Sequence, residues 1–244
     1  MTHPVALTGH LDRPSRWLWL VKMVLAVPHF VALAVLAAVF VVTTLIAAIA
    51  ILASGRYPRA LFELNVGILR WNWRVGFYVY AALGTDRYPP FALGAVDYPA
   101  ALDIRYPERS SRVLVLARWV LALPQLAIVG LVTADIMLYP VPALNTLAGD
   151  MQLAGGYSVL NLLVVIAGFF LLVTGAYPAG LFGFLMGINR WCYRLLAYLA
   201  CMTDEYPPFR LDAGEHEPGA LGSGALDSGA PLGTVASVVS AVRS

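Results

Sequence analysis

The residues best suited to chemistry in this 244-residue chain are arginines that recur with aromatic neighbours at helical spacing. Arg70 and Arg74 are four residues apart, and Tyr78 follows after another four. Because side chains at this spacing share one face of a helix, the two guanidinium groups and the phenol would lie in a row. Two guanidinium groups so placed can hold one phosphate or carboxylate from the same side. The pattern predicts a site for an anionic lipid headgroup or an acidic partner segment.

The same face occurs a second time, and the first copy carries extra charge. Arg190, Arg194 and Tyr198 repeat the spacing, whereas Arg56 and Arg59 precede only the first copy of the helix. A tryptophan follows the leading arginine of each pair. The predicted binding residues are therefore Arg56, Arg59, Arg70, Trp71, Arg74, Tyr78, Arg190, Trp191, Arg194 and Tyr198.

Two other interpretations of these arginines stay open. They can anchor an amphipathic helix at the membrane surface, paired with Glu63 or with backbone carbonyls. They can also face the polar interior of a helical bundle from a helix that spans the membrane. The sequence carries no serine nucleophile elbow, no phosphate-binding glycine loop and no zinc-binding histidine motif. We therefore predict no catalytic residue, no metal site and no cofactor.

The composition identifies the class of protein that must position these residues. Hydrophobic residues make up 60% of the chain and charged residues 12%, against about 45–50% and about 25% in soluble domains. So few charges cannot cover the surface of a water-soluble globule. The net charge is only +2, and the sequence has no basic stretch of the kind that nucleic-acid binding requires. The chain is predicted to be an integral membrane protein, with the lipid bilayer as partner and no nucleic acid.

The chain contains two copies of one unit. Ser15-Arg16 returns as Ser111-Arg112 at an offset of 96 residues, and Gly55 returns as Gly175 at an offset of 120. The heptapeptide TDRYPPF at 85–91 returns as TDEYPPF at 203–209. The second copy therefore has 24 extra residues in its middle, the difference between the two offsets.

The extra residues suggest how each unit meets the membrane. In the second copy, the apolar runs 113–138 and 157–174 are separated by a segment rich in proline and glycine. In the first copy, the run 17–53 is unbroken and would be about 55 Å long as one helix, nearly twice the ~30 Å hydrocarbon core. It must bend, either as a tight hairpin around residues 34–40 or at Pro28, before a single span.

The distribution of lysine and arginine favours the hairpin. Cytoplasmic flanks of membrane helices are enriched in these residues, and none occurs between positions 119 and 189. Two hairpins, and therefore four crossings, would keep all the clustered positive charge on one side. We predict a multi-pass protein of the cell membrane with both termini in the cytoplasm.

The predicted fold is an all-α membrane protein of two tandem repeats, with a small cytoplasmic β element. Each repeat has a transmembrane helical hairpin, 17–53 or the helices 113–138 and 157–174, and an amphipathic interfacial helix, 60–83 or 179–201. Alternating residues within 88–108, and a similar segment within 3–12, predict two short strands. The segments are an N-terminal strand segment 1–14, repeat 1 at 15–93, a linking strand segment 94–110, repeat 2 at 111–211 and a disordered tail 212–244.

The motifs GRYPR at 55–59, RWNWRV at 70–75 and TDRYPPF at 85–91 resemble a bacterial membrane-protein family, domain of unknown function four-three-eight-nine. The resemblance covers 15–93 closely and 111–211 more loosely. The second copy has Ala176 and Ala179 where the first has Arg56 and Arg59, so it would have lost part of any site formed by these arginines. The family has no assigned activity, so the resemblance implies a membrane protein without naming its function.

Three classes of function remain. The favoured one is a non-catalytic module that binds anionic lipid headgroups, a membrane partner protein or a second copy of itself. A small transporter or channel built from parallel repeats is the first alternative, although the predicted spans have almost no polar residues to line a path. A lipid-modifying enzyme is the second alternative, and the sequence lacks a nucleophile and base for it.

Overall fold

The computed structural model describes residues 3–12, 14–133, 159–209 and 211–212, which are mostly helical. These residues form six helices and two strands. In chain order they are β1 Val5–Gly9, α1 Trp19–Leu25, α2 Val27–Ser54, α3 Arg59–Val79, β2 Ala100–Ile104, α4 Arg112–Thr133, α5 Val159–Thr174 and α6 Ala179–Leu199.

The first apolar run forms one long helix and not a hairpin. α2 is continuous from Val27 to Ser54, so the predicted hairpin within 17–53, turning around residues 34–40, is wrong. Those residues include neither glycine nor proline, and a helix keeps every backbone group bonded in apolar surroundings. The helix is interrupted at Ala26 instead. Pro28 then lies in the first turn of α2, where a backbone N–H has no carbonyl of the same helix to bond to, so proline fits there. This agrees with the alternative bend at Pro28.

α3 folds back along α2 as its antiparallel neighbour. Gly55 ends α2 with a φ of 72°, a conformation that glycine adopts without steric cost. The Thr43 hydroxyl then donates to Asn65 Oδ1 at 2.6 Å, while Leu33 packs with Trp71 nearer the start of α2. The middle of α3 therefore lies beside the middle of α2. The predicted amphipathic helix 60–83 is present and ends at Val79.

The second half repeats this pairing with α4 and α6. The Arg118 guanidinium donates to the Tyr198 carbonyl, and Trp191 Nε1 donates to Gln125 Oε1 at 3.1 Å, so α6 is antiparallel to α4. α5 packs against both helices. The predicted loop 139–156, the end of the helix 113–138 beyond Thr133 and the tail from 213 lie outside the described residues.

The two strands form a small sheet, as predicted. β1 pairs antiparallel with β2, and Leu7 lies opposite Leu102. Alternate side chains are buried on both strands, as expected for a sheet with one covered face. The Trp73 indole donates to the Thr8 carbonyl at 3.0 Å, and Arg190 Nε donates to the Leu7 carbonyl at 2.9 Å. The sheet therefore lies on α3 and α6.

The described residues thus form three layers with opposite outer faces. The sheet is one outer layer and its exposed side carries charge, including Asp103 and Arg105; we call this the sheet face. α3 and α6 are in the middle. The other outer layer, which we call the apolar face, consists of α1, α2, α4 and α5. α2, with a mean hydropathy of 2.9, and residues Arg112–Gly130 of α4, at 1.9, are long and apolar enough to cross a membrane.

The two halves make matching contacts across the fold. The Ser15 amide donates to Asp86 Oδ2 at 2.5 Å, and the Ser111 amide donates to Asp204 Oδ2 at 2.7 Å. In addition, an arginine at the start of each half contacts the end of an apolar helix of the other half. Arg112 Nη2 donates to the carbonyl of Ala53 at the end of α2, and the corresponding Arg16 approaches the end of α5. These pairs are what two copies of one unit would form.

Candidate anion-binding site

α3 turns the first arginine pair toward the sheet. Arg70 Nε donates to the Leu102 carbonyl at 2.8 Å, and its Nη2 donates to Asp103 Oδ1 at 2.7 Å. The Asp103 side chain is 77% exposed, so this ion pair lies at the sheet face. Exposed ion pairs contribute little to stability.

Arg74, one turn further along α3, is buried more deeply. Its side chain is 3% exposed, and its guanidinium donates to the Ala92 carbonyl and, at 3.2 Å, to the Gly94 carbonyl. Its Nε has no hydrogen-bond partner. Burial is the main cause that lowers the pKa of Arg74; Tyr98 acts in the opposite direction, and the nearby charge of Arg70 lowers the pKa further. Within the described part of the chain, no carboxylate contacts this guanidinium.

The first-half arginines border two openings on the sheet face. Arg70 and Arg74 line a cavity of about 360 Å³, together with Thr8, Asp103 and residues 94–96. Arg70 also lines a smaller cavity of about 190 Å³, where Arg59 and Glu63 join it. The two cavities therefore share Arg70, and together they gather three of the predicted binding residues.

The second arginine pair is satisfied by the chain itself. Arg190 donates through Nη1 to the Asp212 carbonyl at 2.5 Å, in addition to its bond to β1. Arg194 Nη1 donates to Asp212 Oδ2 at 2.7 Å, and the two side chains are 1% and 10% exposed. A carboxylate of the chain thus compensates the deep arginine of the second half.

The other predicted residues lie elsewhere. Arg56 is exposed just beyond the end of α2. The Trp71 indole donates to His29 Nδ1 at 3.1 Å, in the same way that Trp191 donates to Gln125. These tryptophans therefore join the middle layer to the helices of the apolar face.

The two tyrosines among the predicted binding residues each face a cation from a helix of the apolar face. Lys22 Nζ is 5.1 Å from the centre of the Tyr78 ring, and the Arg118 guanidinium carbon is 5.2 Å from that of Tyr198. Neither tyrosine lines the cavities beside Arg70. Their rings contribute cation–π contacts in the core of each half.

Sequence reasoning missed two ion pairs in which a buried cation meets a partly exposed carboxylate. Lys22 Nζ lies 2.9 Å from Asp86 Oδ1, and Arg118 Nη2 lies 3.2 Å from Asp204 Oδ1. Burial alone would raise the pKa of Asp86, but the hydrogen bonds from Lys22 and from the Ser15 amide outweigh it, so the pKa lies below its ordinary value. Lys22 and Arg118 are 96 residues apart, the offset of the first repeat match, and this spacing was the available signal.

The lining of both cavities offers hydrogen-bond donors for an anion. Each cavity has two guanidinium groups and one carboxylate in its lining, and the guanidinium groups can hold an anion by charge-assisted hydrogen bonds. No serine or cysteine lies beside a histidine in the lining of either cavity.

Comparison with known proteins identifies a family. A family model matches residues 16–92 and 153–210, together more than half of the chain. No curated protein and no solved structure matches significantly. The two matched segments fall on the two halves with paired contacts, which is consistent with two tandem copies. The chain therefore belongs to the family described as domain of unknown function (DUF4389).

Proposed function

We propose that the protein is a non-catalytic membrane module that lies along one leaflet and presents its arginines to anionic groups at the membrane surface. The observation that carries this proposal is the apolar face. Ile49 of α2 is 67% exposed, Leu116 of α4 is 70% exposed and Phe169 of α5 is 61% exposed. Large contiguous apolar surfaces of this kind mark interaction sites for membranes or partners.

The position of the charges supports an orientation parallel to the membrane. Arg70 lies on α3 between Asn65 and Trp71, which pair with the middle and the first part of α2. If α2 crossed the bilayer with lipid on all sides, Asp103 would lie beside the first part of the span instead of in water. Charged side chains within a span are costly, by about 2.5–3.5 kcal/mol at its centre. With α2 parallel to the surface, the same pair is in water.

The two ends of α2 support the same orientation. Arg16 precedes α1, and Arg56 and Arg59 follow α2. A single crossing by α2 would separate these arginines, against the cytoplasmic bias of positive charge. Insertion from one side keeps them together. We therefore place both termini and the sheet face in the cytoplasm as part of the proposal, in place of four crossings.

This orientation brings the middle layer to the depth of the headgroups. A helix is about 10 Å in diameter, so immersion of the apolar layer leaves α3 and α6 at the boundary between hydrocarbon and water. Interfacial arginines attract anionic lipids, each contributing about 1 kcal/mol. A membrane partner with an acidic segment is the other ligand that the exposed arginines would suit.

The first experiment measures membrane association and orientation together. The chain should remain in the membrane pellet after extraction with alkaline carbonate. Single-cysteine variants Arg56→Cys and Arg87→Cys report on opposite ends of α2, since Tyr88 bonds to the Leu25 carbonyl next to its start. In sealed vesicles, an impermeant maleimide should label both positions from the same side. Labelling from opposite sides would mean that α2 crosses, and the orientation would be wrong.

Two controls belong to this experiment. The parent chain supplies the background, because both native cysteines are buried. Val35→Cys lies on the apolar face of α2, where the side chain is exposed in the structure. It should resist the maleimide as long as lipid covers the apolar face. It should react once the membrane has been dissolved and the chain unfolded. Equal labelling of Val35→Cys and Arg56→Cys in vesicles would contradict burial of the apolar face in lipid.

A further inference from the structure

We infer that Arg74, assisted by Arg70, binds a phosphate group in the cavity between α3 and residues 94–96, where the second half of the chain supplies its own carboxylate. The inference rests on the proposed function and assigns a site and a ligand class to it. The phosphate can belong to a lipid headgroup or be free in solution, because the guanidinium groups recognise the same oxygens in both.

The two halves differ at one matched position. Arg74 corresponds to Arg194 at the offset of 120, and Gly94 corresponds to Asp212 at the offset of 118 set by the TDxYPPF motifs. In the second half, Asp212 Oδ2 accepts from Arg194 Nη1 at 2.7 Å. In the first half, the partner of Arg74 Nη1 among the described residues is the backbone carbonyl of Gly94, at 3.2 Å. Within the residues that the structure describes, Arg74 therefore has no carboxylate beside it, although it is buried like Arg194.

The described part of the chain supplies no carboxylate that compensates the charge of the buried Arg74 guanidinium. Arg70 has Asp103 as its partner, but that carboxylate lies at the surface and bonds to Arg70 rather than to Arg74. The cavity therefore has two guanidinium groups and one carboxylate among its lining residues. A buried charge without an opposite charge beside it is costly, even where backbone carbonyls accept its hydrogen bonds. An anion that enters the cavity would remove this cost.

The cavity has room for the missing group and more. A Cβ built on Gly94 would meet no atom within 4 Å, so an aspartate at this position, which corresponds to Asp212, would not clash. The cavity volume of about 360 Å³ is larger than a carboxylate group would fill. A phosphate ester fits the space, and its oxygens can accept from both guanidinium groups at once.

The test titrates the full chain in a phosphate-free maltoside detergent and follows heat by calorimetry. The probes are inorganic phosphate and dihexanoyl phosphatidic acid, with the zwitterionic dihexanoyl phosphatidylcholine as the comparison lipid. Gly94→Asp should fill the site with a carboxylate, as Asp212 does in the second half. Gly180→Asp is the matched control, because it adds the same charge at another glycine whose Cβ would meet nothing within 4 Å.

We expect saturable binding of at least one phosphate probe by the parent chain, and binding at least tenfold weaker in Gly94→Asp but within twofold in Gly180→Asp. Binding of inorganic phosphate identifies a free anion as sufficient, whereas binding of phosphatidic acid alone identifies the lipid headgroup. Arg74→Gln should also abolish binding; if it does not fold, Gly94→Asp decides.

Two results would overturn the inference. One is the absence of saturable binding of either probe to the parent chain. The other is unchanged affinity in Gly94→Asp. Both are independent of the carbonate and labelling experiments, since the titration is done in detergent. Failure of the membrane proposal and failure of the phosphate site are therefore distinguishable.

Discussion

Replacement of His29 tests the idea that the two halves use different side chains for one structural task. His29 is fully buried, accepts a hydrogen bond from the Trp71 indole at 3.1 Å and stacks on Phe91 with ring centres 3.9 Å apart. Gln125 has the same place in the second half, where it accepts from Trp191 and donates to the Pro207 carbonyl. We therefore expect glutamine to replace His29 with little loss, and leucine to be poorly tolerated.

The magnitude follows from the contacts that each variant keeps. Both His29→Gln and His29→Leu lose the ring stacking on Phe91, which is worth about 0.5–1.5 kcal/mol. Only the leucine leaves the buried Trp71 donor without an acceptor, at a cost of about 1–3 kcal/mol. The two variants should therefore differ by about 2 kcal/mol in the free energy of unfolding. For a chain of this size, that is about 4–8 °C in Tm.

The assay is thermal unfolding of the purified chain in mild detergent, followed by tryptophan fluorescence. The control is the same pair of substitutions in a Trp71→Phe background, where no donor remains and the leucine and glutamine variants should converge. Melting of the two variants within about 1 °C of each other in the parent background would refute the role of the Trp71 hydrogen bond.

Three further substitutions have defined outcomes. Asp86→Asn leaves a buried lysine without its carboxylate and should cost about 3 kcal/mol. Because the folded pKa of Asp86 is depressed, its stabilisation is present above its ordinary pKa of about 3.9 and is lost as the pH falls through the folded value. The parent chain should therefore lose more stability on acidification than Asp86→Asn, and identical acid profiles would contradict this. Gly55→Ala, at a φ of 72°, should destabilise by about 1–2 kcal/mol, whereas Gly180→Ala in α6 should stabilise by about 0.5–1 kcal/mol; melting temperatures decide. Cys192 and Cys201 should not react with maleimide in the folded chain, since both are buried and burial raises the pKa of each thiol, to about 12 for Cys192; rapid labelling would contradict the packing of α6.

Local patterns in the sequence were sufficient for the middle layer and the sheet. The amphipathic helices were predicted at 60–83 and 179–201, and the structure has them at Arg59–Val79 and Ala179–Leu199. Pro58 and Pro178 precede these helices in extended conformation, as the residue type allows. The strands followed from alternation of buried and exposed residues, which is also a local property. Such elements depend on spacing within a few residues.

The course of the first apolar run could not be predicted in this way. From their hydrophobicity alone, residues 34–40 could continue a helix or form the turn of a hairpin, because the choice depends on what packs beside them. The structure resolves it through α3, whose Asn65 and Trp71 bind α2 on both sides of that stretch. The four-crossing prediction depended on a hairpin that returned the arginines after α2 to the side where the chain entered. Because α2 is one continuous helix, a crossing by α2 would instead put the arginines at its two ends on opposite sides of the membrane.

The arginine faces divide between the two levels of information. The sequence alone determined that Arg70 and Arg74 share a helix face and that Arg190 and Arg194 repeat it, since the spacing of four residues decides this. Only the tertiary structure decided which of them has a carboxylate. Asp212 reaches Arg194 from 18 residues away, and the matching position beside Arg74 is a glycine. The charge on a buried side chain is compensated by whatever the fold brings to it, and that partner lies beyond the range of any local pattern.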